Sequence, residues 1–482
     1  MASGQKQKAL ICGGGPSGLA AAILLHKQGW QEITLVERRK SHNTFERGKA
    51  FNYQLDGRGQ KMLSEIGIDE AMIKTYGIAN TVSIFNSFGP DGEEKSFTVP
   101  FVLKDKQTAY WMTRTALLDM LYQRVQAVNT DGRIRLLYDH SFKGLELDGE
   151  RPVAIAEDSA GKVETLHPQL ILGCDGVNSR LRGAVGALPE TSSKDFELVG
   201  RPSASSDLLY KVIRLPKNMA VAGRENAVTD HTKSYVFTST YKDFNERLSL
   251  FSLPVARETE PRSANIILPQ SHKLWDIESA AEMTAYLKEG FPQLDIDQVI
   301  PPEEIEDFIQ LKTGKFPDPQ YSPKVHADVT AAGVSATCVM LGDAAHAFPP
   351  DLGLGVNSAL QDVYLLGQEL AQLDNISAAA KRYEKARLPE SRALVRLVRK
   401  VFPYQYNHVP WRFKLSMAKF FGQLGLTKIT GGLIDEPGFR LSQDERISFT
   451  ELERRIFMTD ATFYVLLAAI FGGLAYLIMK IF

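Results

Sequence analysis

The sequence predicts an α/β fold on a parallel sheet, interrupted by an antiparallel sheet and followed by a helical region and one membrane-spanning helix. Three observations predict it. Residues 8–37 read as strand, glycine turn, helix and strand. Between about Glu190 and Asp318 the texture changes to short alternating runs, such as Leu209 to Leu215 and Leu248 to Leu253. From Ala461 to Met479 no residue is charged. At 482 residues the chain exceeds one usual hydrophobic core, so two or three domains are expected.

Lys8 to Cys12 is an apolar strand, Ser17 to Gln28 a helix, and Glu32 to Val36 a β-branched strand, the start of a βαβ unit. Between them, Gly13-Gly14-Gly15-Pro16-Ser17-Gly18 matches G-x-G-x-x-G. Gly13 permits the tight turn, Gly15 lets backbone N–H groups approach a pyrophosphate, and Gly18 lets helix and strand pack closely. Glu37 ends the second strand, where a carboxylate accepts hydrogen bonds from ribose hydroxyls; Arg38 beside it is a further cofactor-binding candidate. The fingerprint alone does not choose between FAD and NAD.

A second motif chooses FAD. Leu341-Gly342-Asp343-Ala344-Ala345-His346 sets an aspartate at a strand end, where it can bond a ribityl hydroxyl. Ala347-Phe348-Pro349-Pro350 and Gly353-Leu354-Gly355-Val356-Asn357 then open a helix. The N–H groups and dipole near Gly355, Val356 and Asn357 can stabilise negative charge on a reduced flavin. His346 reads as structural. A third motif, Gly173-Cys174-Asp175-Gly176-Val177-Asn178-Ser179-Arg180, follows the buried strand Leu170 to Gly173.

Together these motifs resemble the group A (aromatic-hydroxylase) flavin monooxygenases, over about Lys8 to Lys400. The resemblance implies a Rossmann-like FAD-binding domain, with NADPH or NADH docking transiently as hydride donor and no second fingerprint. It implies that Asp175 contacts both FAD and the pyridine nucleotide, and that Arg114 binds FAD. It also implies insertion of one oxygen from O2 by a flavin C4a-hydroperoxide, with Pro349-Pro350 keeping that face dry. Phe45-Glu46-Arg47-Gly48-Lys49-Ala50-Phe51-Asn52 and Leu55-Asp56-Gly57-Arg58-Gly59 are most similar to the kynurenine 3-monooxygenase branch, which places Arg58 among the cofactor-binding positions. In that branch Asn357 is a candidate active-site residue. Tyr404 falls where a substrate-pocket tyrosine is placed, and Tyr406 fits almost as well.

The chain departs from the branch at the substrate. After Gly77-Ile78 the branch carries an arginine that pairs with the substrate carboxylate; here Ala79 to Ser83 holds no cation. A partner tyrosine is replaced by Phe101, and Gln and Met around the glycine pair by Leu354 and Val356. Losing a cation and a hydroxyl removes charge-assisted bonds worth roughly 1.5–3 kcal/mol each. Ser83, Phe101 and Tyr404 are therefore the expected substrate-facing positions, for an aromatic or isoprenoid molecule. Alternatives are a group A epoxidase or hydroxylase of an apolar lipid, and a flavin-binding reductase that transfers no oxygen.

Composition excludes other classes. A net charge of −1 gives no reason to expect nucleic-acid binding. Cys12, Cys174 and Cys338 sit in apolar runs beside glycine motifs, which suits a reduced compartment and packing. No metal-ligand set or nucleophile–base triad stands out. The expected domains are 1–190 with 320–375 (FAD-binding), 191–319 (substrate), 376–440 (helical) and 461–479 (transmembrane). Gly431-Gly432 and Glu436-Pro437-Gly438 are the expected hinge. The N-terminus shows no secretory pattern. The uncharged run spans roughly 28 Å as a helix, enough for a bilayer core, so a tail anchor is expected. The body would then face the cytosol at the mitochondrial outer membrane or endoplasmic reticulum. Between Glu390 and Asp435 there is no acid, while Arg392, Arg396, Arg399, Lys400, Arg412, Lys414, Lys419 and Lys428 occur. That stretch suits contact with anionic lipid headgroups.

Overall fold

The structure, a computed structural model, describes the chain except residues 1–6, 45, 47, 49–50, 81–82, 89–92, 100–105, 148, 150, 223–228, 258–259 and 482. Its centre is a six-stranded sheet in the order His326–Ala331, Val334–Met340, Leu170–Gly173, Lys8–Cys12, Glu32–Glu37, Ile134–Tyr138. The last five strands are parallel and the first is an antiparallel edge. Ala9 to Cys12 and Leu170 to Leu172 are buried on both faces, which is why they read as continuous apolar runs rather than alternating ones. The helix Pro16–Lys27 packs on this sheet between the helices Arg114–Val128 and Gly355–Gln372.

A second, seven-stranded sheet runs Gly314–Lys315, Leu208–Leu215, Arg262–Pro269, Ser249–Ser252, Ser234–Thr238, Ser83–Phe88, Glu94–Val99. It corrects the expected boundary at residue 190. Ser83–Phe88 and Glu94–Val99 belong to this sheet, and Ser83–Phe88 pairs in parallel with Ser234–Thr238. The chain thus crosses into the second layer once early and again after Val199. With the helices Ala280–Gly290 and Pro302–Gln310 the sheet forms its own core around Phe237, Leu250, Ile266, Phe291 and Phe308.

The C-terminal region is helical: Ile376–Lys400, Pro410–Ile429, a short turn Gly438–Leu441, and Phe449–Ile481. Gly431 and Gly432, at φ +61° and +88°, turn the chain back after the second of these, a conformation glycine reaches without strain. A third core joins Leu394, Leu397 and Phe402 to Phe449, Leu452 and Ile456. The last helix is a single rod of 33 residues whose first turn is capped by Glu390, which accepts from the Phe449 amide at 2.5 Å. It therefore starts well before Ala461. Phe449–Gly473 is long and apolar enough to cross a membrane, and beyond Ile456 it exposes Phe457, Met458, Val465 and Ile470.

Candidate active site

The glycine turn, Glu37, Asp175 and Asp343 all follow the C-terminal ends of parallel strands, the edge where open α/β sheets bind ligands. Gly13 has φ +104°, and a Cβ there would lie 2.4 Å from the Cys174 carbonyl oxygen. Gly18 is tighter still: a Cβ on it would stand only 1.9 Å from the Gly13 carbonyl oxygen. Gly15 differs, since nothing lies within 4 Å of its missing side chain. It caps the helix Pro16–Lys27 without a side-chain hydrogen bond, so that helix N-terminus faces open space. Two glycines serve close packing and one leaves room for a phosphate.

Glu37 is buried, and its carboxylate accepts from the Gly14 amide at 2.6 Å and the Arg39 amide at 2.9 Å. Burial opposes its charge, but the hydrogen bonds and charge of Arg39, with the Gly14 amide, prevail and hold it below the usual glutamate range. Arg39 is the residue that braces this corner, with Nε 3.0 Å from Glu37 Oε1 and Nη2 donating to Gly14 O at 2.9 Å. Arg38 points outward, 67% exposed and 3.6 Å from Glu46. The two lie just past the strand that ends at Glu37, and the sequence showed only adjacent arginines.

Arg114 opens its helix, donates its amide to Phe51 O at 3.1 Å and pairs with Glu46 at 3.2 Å. The Tyr53 phenol, raised in pKa first by burial, also senses both Arg114 and Asp343, so these two cofactor candidates converge on one ring. Asp343 is the one exposed residue between Met340 and Ala347. Asp175 caps the next helix, accepting from the Arg180 amide at 2.7 Å with Oδ2; its Oδ1 is buried without a hydrogen-bond partner. Arg182 ties this motif to the other, donating to Val177 O and Ala344 O, each at 2.7 Å.

A buried charge network that the sequence did not reveal holds the Asp343 turn. Asp362 accepts from the Gly342 amide at 2.7 Å and from His346 Nε2 at 2.8 Å, and pairs with Arg387, which also donates to Ser358 Oγ at 2.6 Å. Burial alone would raise the Asp362 pKa, yet Arg387 and His346 lower it. His346 is thus structural, as expected.

The helix Gly355–Gln372 begins without a side-chain cap, and Gly355 has nothing within 4 Å of its missing Cβ. Val356 is buried. Pro349 is also buried, whereas Pro350 is exposed, so Pro350 is the one that presents a surface. Asn357 is buried: its Oδ1 accepts from the Asp56 amide at 3.0 Å, and its Nδ2 donates to Gln54 O at 2.7 Å and Gly353 O at 3.2 Å, so its side chain braces the strand end at Gln54 against the turn at Gly353. Arg58 is engaged within the protein. Its guanidinium is buried, donating to Asp56, Ser442 O, Asp444 O and Ile447 O and lying 4.9 Å over Phe449.

For the substrate tyrosine, Tyr404 faces outward, its hydroxyl accepting from Arg412 at 2.7 Å. Tyr406 faces inward beside the Asp351 carboxyl and is stacked toward Phe316 at 6.4 Å. Phe316 stacks on Tyr210 at 4.7 Å, and Phe51 meets Tyr210 edge-on at 5.1 Å. This aromatic wall comes from four segments, and of its members the sequence pointed only to Tyr406. Asp351, 2% exposed, accepts from Ser205 Oγ at 2.8 Å, and burial raises its carboxyl to about 6. Ser83 lies on the second sheet, its side chain outside the described residues, as is Phe101. Among the described residues no cluster of His, Cys, Asp and Glu could hold a metal.

The family model described as FAD binding domain matches residues 6–254 and 324–398. The chain is 23% identical to kynurenine 3-monooxygenase of Salinispora arenicola, over 82% of this chain and 79% of that one. It is 24% identical to the enzyme of the same name from Anopheles gambiae, over 83% and 74%. Among solved structures it is similar to tetrameric 2-methyl-3-hydroxypyridine-5-carboxylic acid oxygenase, at TM-score 0.56 and 19% identity, over 84% of this chain and 93% of that one. A probable FAD-dependent monooxygenase from Pseudomonas aeruginosa gives TM-score 0.54 at 18% identity, over 86% and 99%.

Proposed function

Since this chain belongs to the FAD-binding-domain family and is an FAD-dependent monooxygenase, we propose that it uses NADPH to hydroxylate or epoxidise an aromatic or isoprenoid molecule without a carboxylate. The observation that carries this reading is the convergence of an open helix N-terminus at Gly15, the orphaned Asp175 Oδ1 and the outward Asp343 on one sheet edge. These residues fit FAD: room for a diphosphate, a buried acceptor lacking a donor, and an exposed carboxylate within a buried turn.

When bound, FAD supplies the redox chemistry, taking a hydride from the nicotinamide and activating O2 so that one oxygen atom reaches the substrate. The chain's own residues bind, orient and exclude water. The Gly15 end of its helix holds the diphosphate, Glu37 accepts from the ribose, and Arg114 and Asp343 fix the middle of the cofactor. The uncapped N–H groups of Gly355 and Val356 would favour an anion at that helix end, and Pro350 and the buried Leu354 would help to exclude water there. Phe51, Tyr210, Phe316 and Tyr406 offer flat apolar surface to a ring or an isoprenoid. The missing cation at Ala79 to Ser83 argues against an amino-acid carboxylate. We further read Phe449–Gly473 as a tail anchor, with the body in the cytosol at the mitochondrial outer membrane or endoplasmic reticulum.

The test is cofactor content. Purified full-length protein is expected to be yellow, with non-covalent FAD, and Asp343→Ala to lose most of it. Unchanged FAD affinity in that variant would refute the assignment of this turn.

A further inference from the structure

The helix Pro410–Ile429 buries Phe420, Gln423, Leu424 and Thr427 on one side and leaves a second apolar stripe bare on the other. We propose that it lies in the plane of a phospholipid bilayer, as a second membrane contact distinct from the terminal helix. Trp411, Leu415, Phe421 and Ile429 are 63%, 64%, 54% and 84% exposed. Steps of four, six and eight residues keep them within one side of a 3.6-residue helix, with exposed Ala418 between them. Leu433, just past the helix, is 92% exposed. The packed side buries Phe420 and Leu424 and is also held by polar bonds, with Gln423 donating to Asp460 at 2.7 Å and Thr427 to Asp435 O at 2.8 Å. Scattered exposed leucines are ordinary, but a contiguous stripe marks an interaction surface.

Two observations identify the occupant as lipid. The stripe is continuous with the membrane-crossing candidate, since the two helices are clamped by Lys419 and Gln423 on Asp460, and Gly422 abuts Phe463. Its flanks are cationic, with Arg412, Lys414 and Lys428 exposed and no acid between Glu390 and Asp435. A basic-flanked apolar stripe of this kind sinks roughly 5–10 Å into the headgroup boundary.

The same geometry revises the expectation of a mainly electrostatic contact. Arg396 is already paired with Glu453 and Lys419 with Asp460, while Arg392 lies over Tyr321 and Arg399 donates to Pro202 O. With Arg412 donating to the Tyr404 hydroxyl, five of the eight cations counted in that stretch are engaged within the protein, and apolar insertion is the main attraction.

Trp411 is a native probe of this contact. The full-length FAD-loaded protein is reconstituted into phosphatidylcholine vesicles containing lipids brominated high on the acyl chain. The Trp411 signal is taken as the difference from a Trp411→Phe variant. We expect that difference signal to be blue-shifted and largely quenched by the brominated lipid. It should stay so at about 1 M salt, where the Debye length is roughly 3 Å. Leu415→Glu with Ile429→Glu should return it to water. Quenching by aqueous acrylamide instead of lipid would overturn the proposal. Protection from both quenchers would also overturn it, pointing to a second copy of the chain over the stripe. Neither failure touches FAD content or NADPH oxidation, so the proposed activity stands or falls separately.

Discussion

Single residues show where linear sequence is informative and where it is not. Gly13 and Gly18 were legible because the close backbone approaches they permit are set by adjacent strands. At Asn357 and Arg58 the motif gave the position but not the partners, because their polar atoms bond backbone carbonyls and amides far along the chain. Asp351 carried no signal at all. Its partners Ser205 and Tyr406 arrive from far along the chain, and only their packing reveals a buried acid with a pKa raised from 3.8 to about 6. Because the folded-state value lies above the unfolded one, the neutral carboxyl stabilises the fold. That contribution is complete below about pH 4 and is lost as pH rises through 6. A shift of about two units corresponds to at most about 3 kcal/mol. Asp351→Asn should therefore gain stability relative to wild type as pH rises from 4 to 7, by about 1–3 kcal/mol in denaturant titrations. A difference independent of pH would show that Asp351 is not held neutral.

Elements were read more reliably by type than by length or layer. The strands, the glycine-turn helix and the helix after Gly355 were evident from period and punctuation. Ser83–Phe88 and Glu94–Val99 were assigned to the wrong layer, because alternation marks a strand but not the sheet it joins. The terminal helix was found by its uncharged run, whereas its charged first turns were hidden; they are helical because Glu390 caps them and the third core covers Leu452. Arg58 fastens the segment before that helix to the FAD domain through Asp444 O and Ile447 O. Each bond from a charged donor contributes roughly 1.5–3 kcal/mol. Arg58→Ala is expected to speed proteolysis around Ser442 to Ser448 while leaving FAD affinity near wild type. Loss of FAD with unchanged proteolysis would restore Arg58 to the cofactor site.

At the scale of the molecule, an FAD domain, a second sheet and the helical C-terminal region meet around the turn from Pro349 to Gly355. Tyr406 reaches this turn from the loop immediately before the helix Pro410–Ile429, so one short segment links the aromatic wall to the helix that carries the apolar stripe. This arrangement suits a substrate that partitions into lipid. Kynurenine, with its carboxylate and ammonium, should stimulate NADPH oxidation weakly compared with carboxylate-free aromatics or isoprenoids presented in vesicles. Tight, productive turnover of kynurenine would mean another cation had assumed the role absent from Ala79 to Ser83.

Oxygen transfer itself is measured most directly with labelled gas. The FAD-loaded protein in vesicles is given NADPH, 18O2 and a panel of carboxylate-free aromatic and isoprenoid substrates, and both product mass and peroxide are followed. The account predicts at least one substrate that accelerates NADPH oxidation and gains a single 18O atom for each NADPH consumed. Peroxide equal to the NADPH consumed with every member of the panel, and no labelled product, would contradict it.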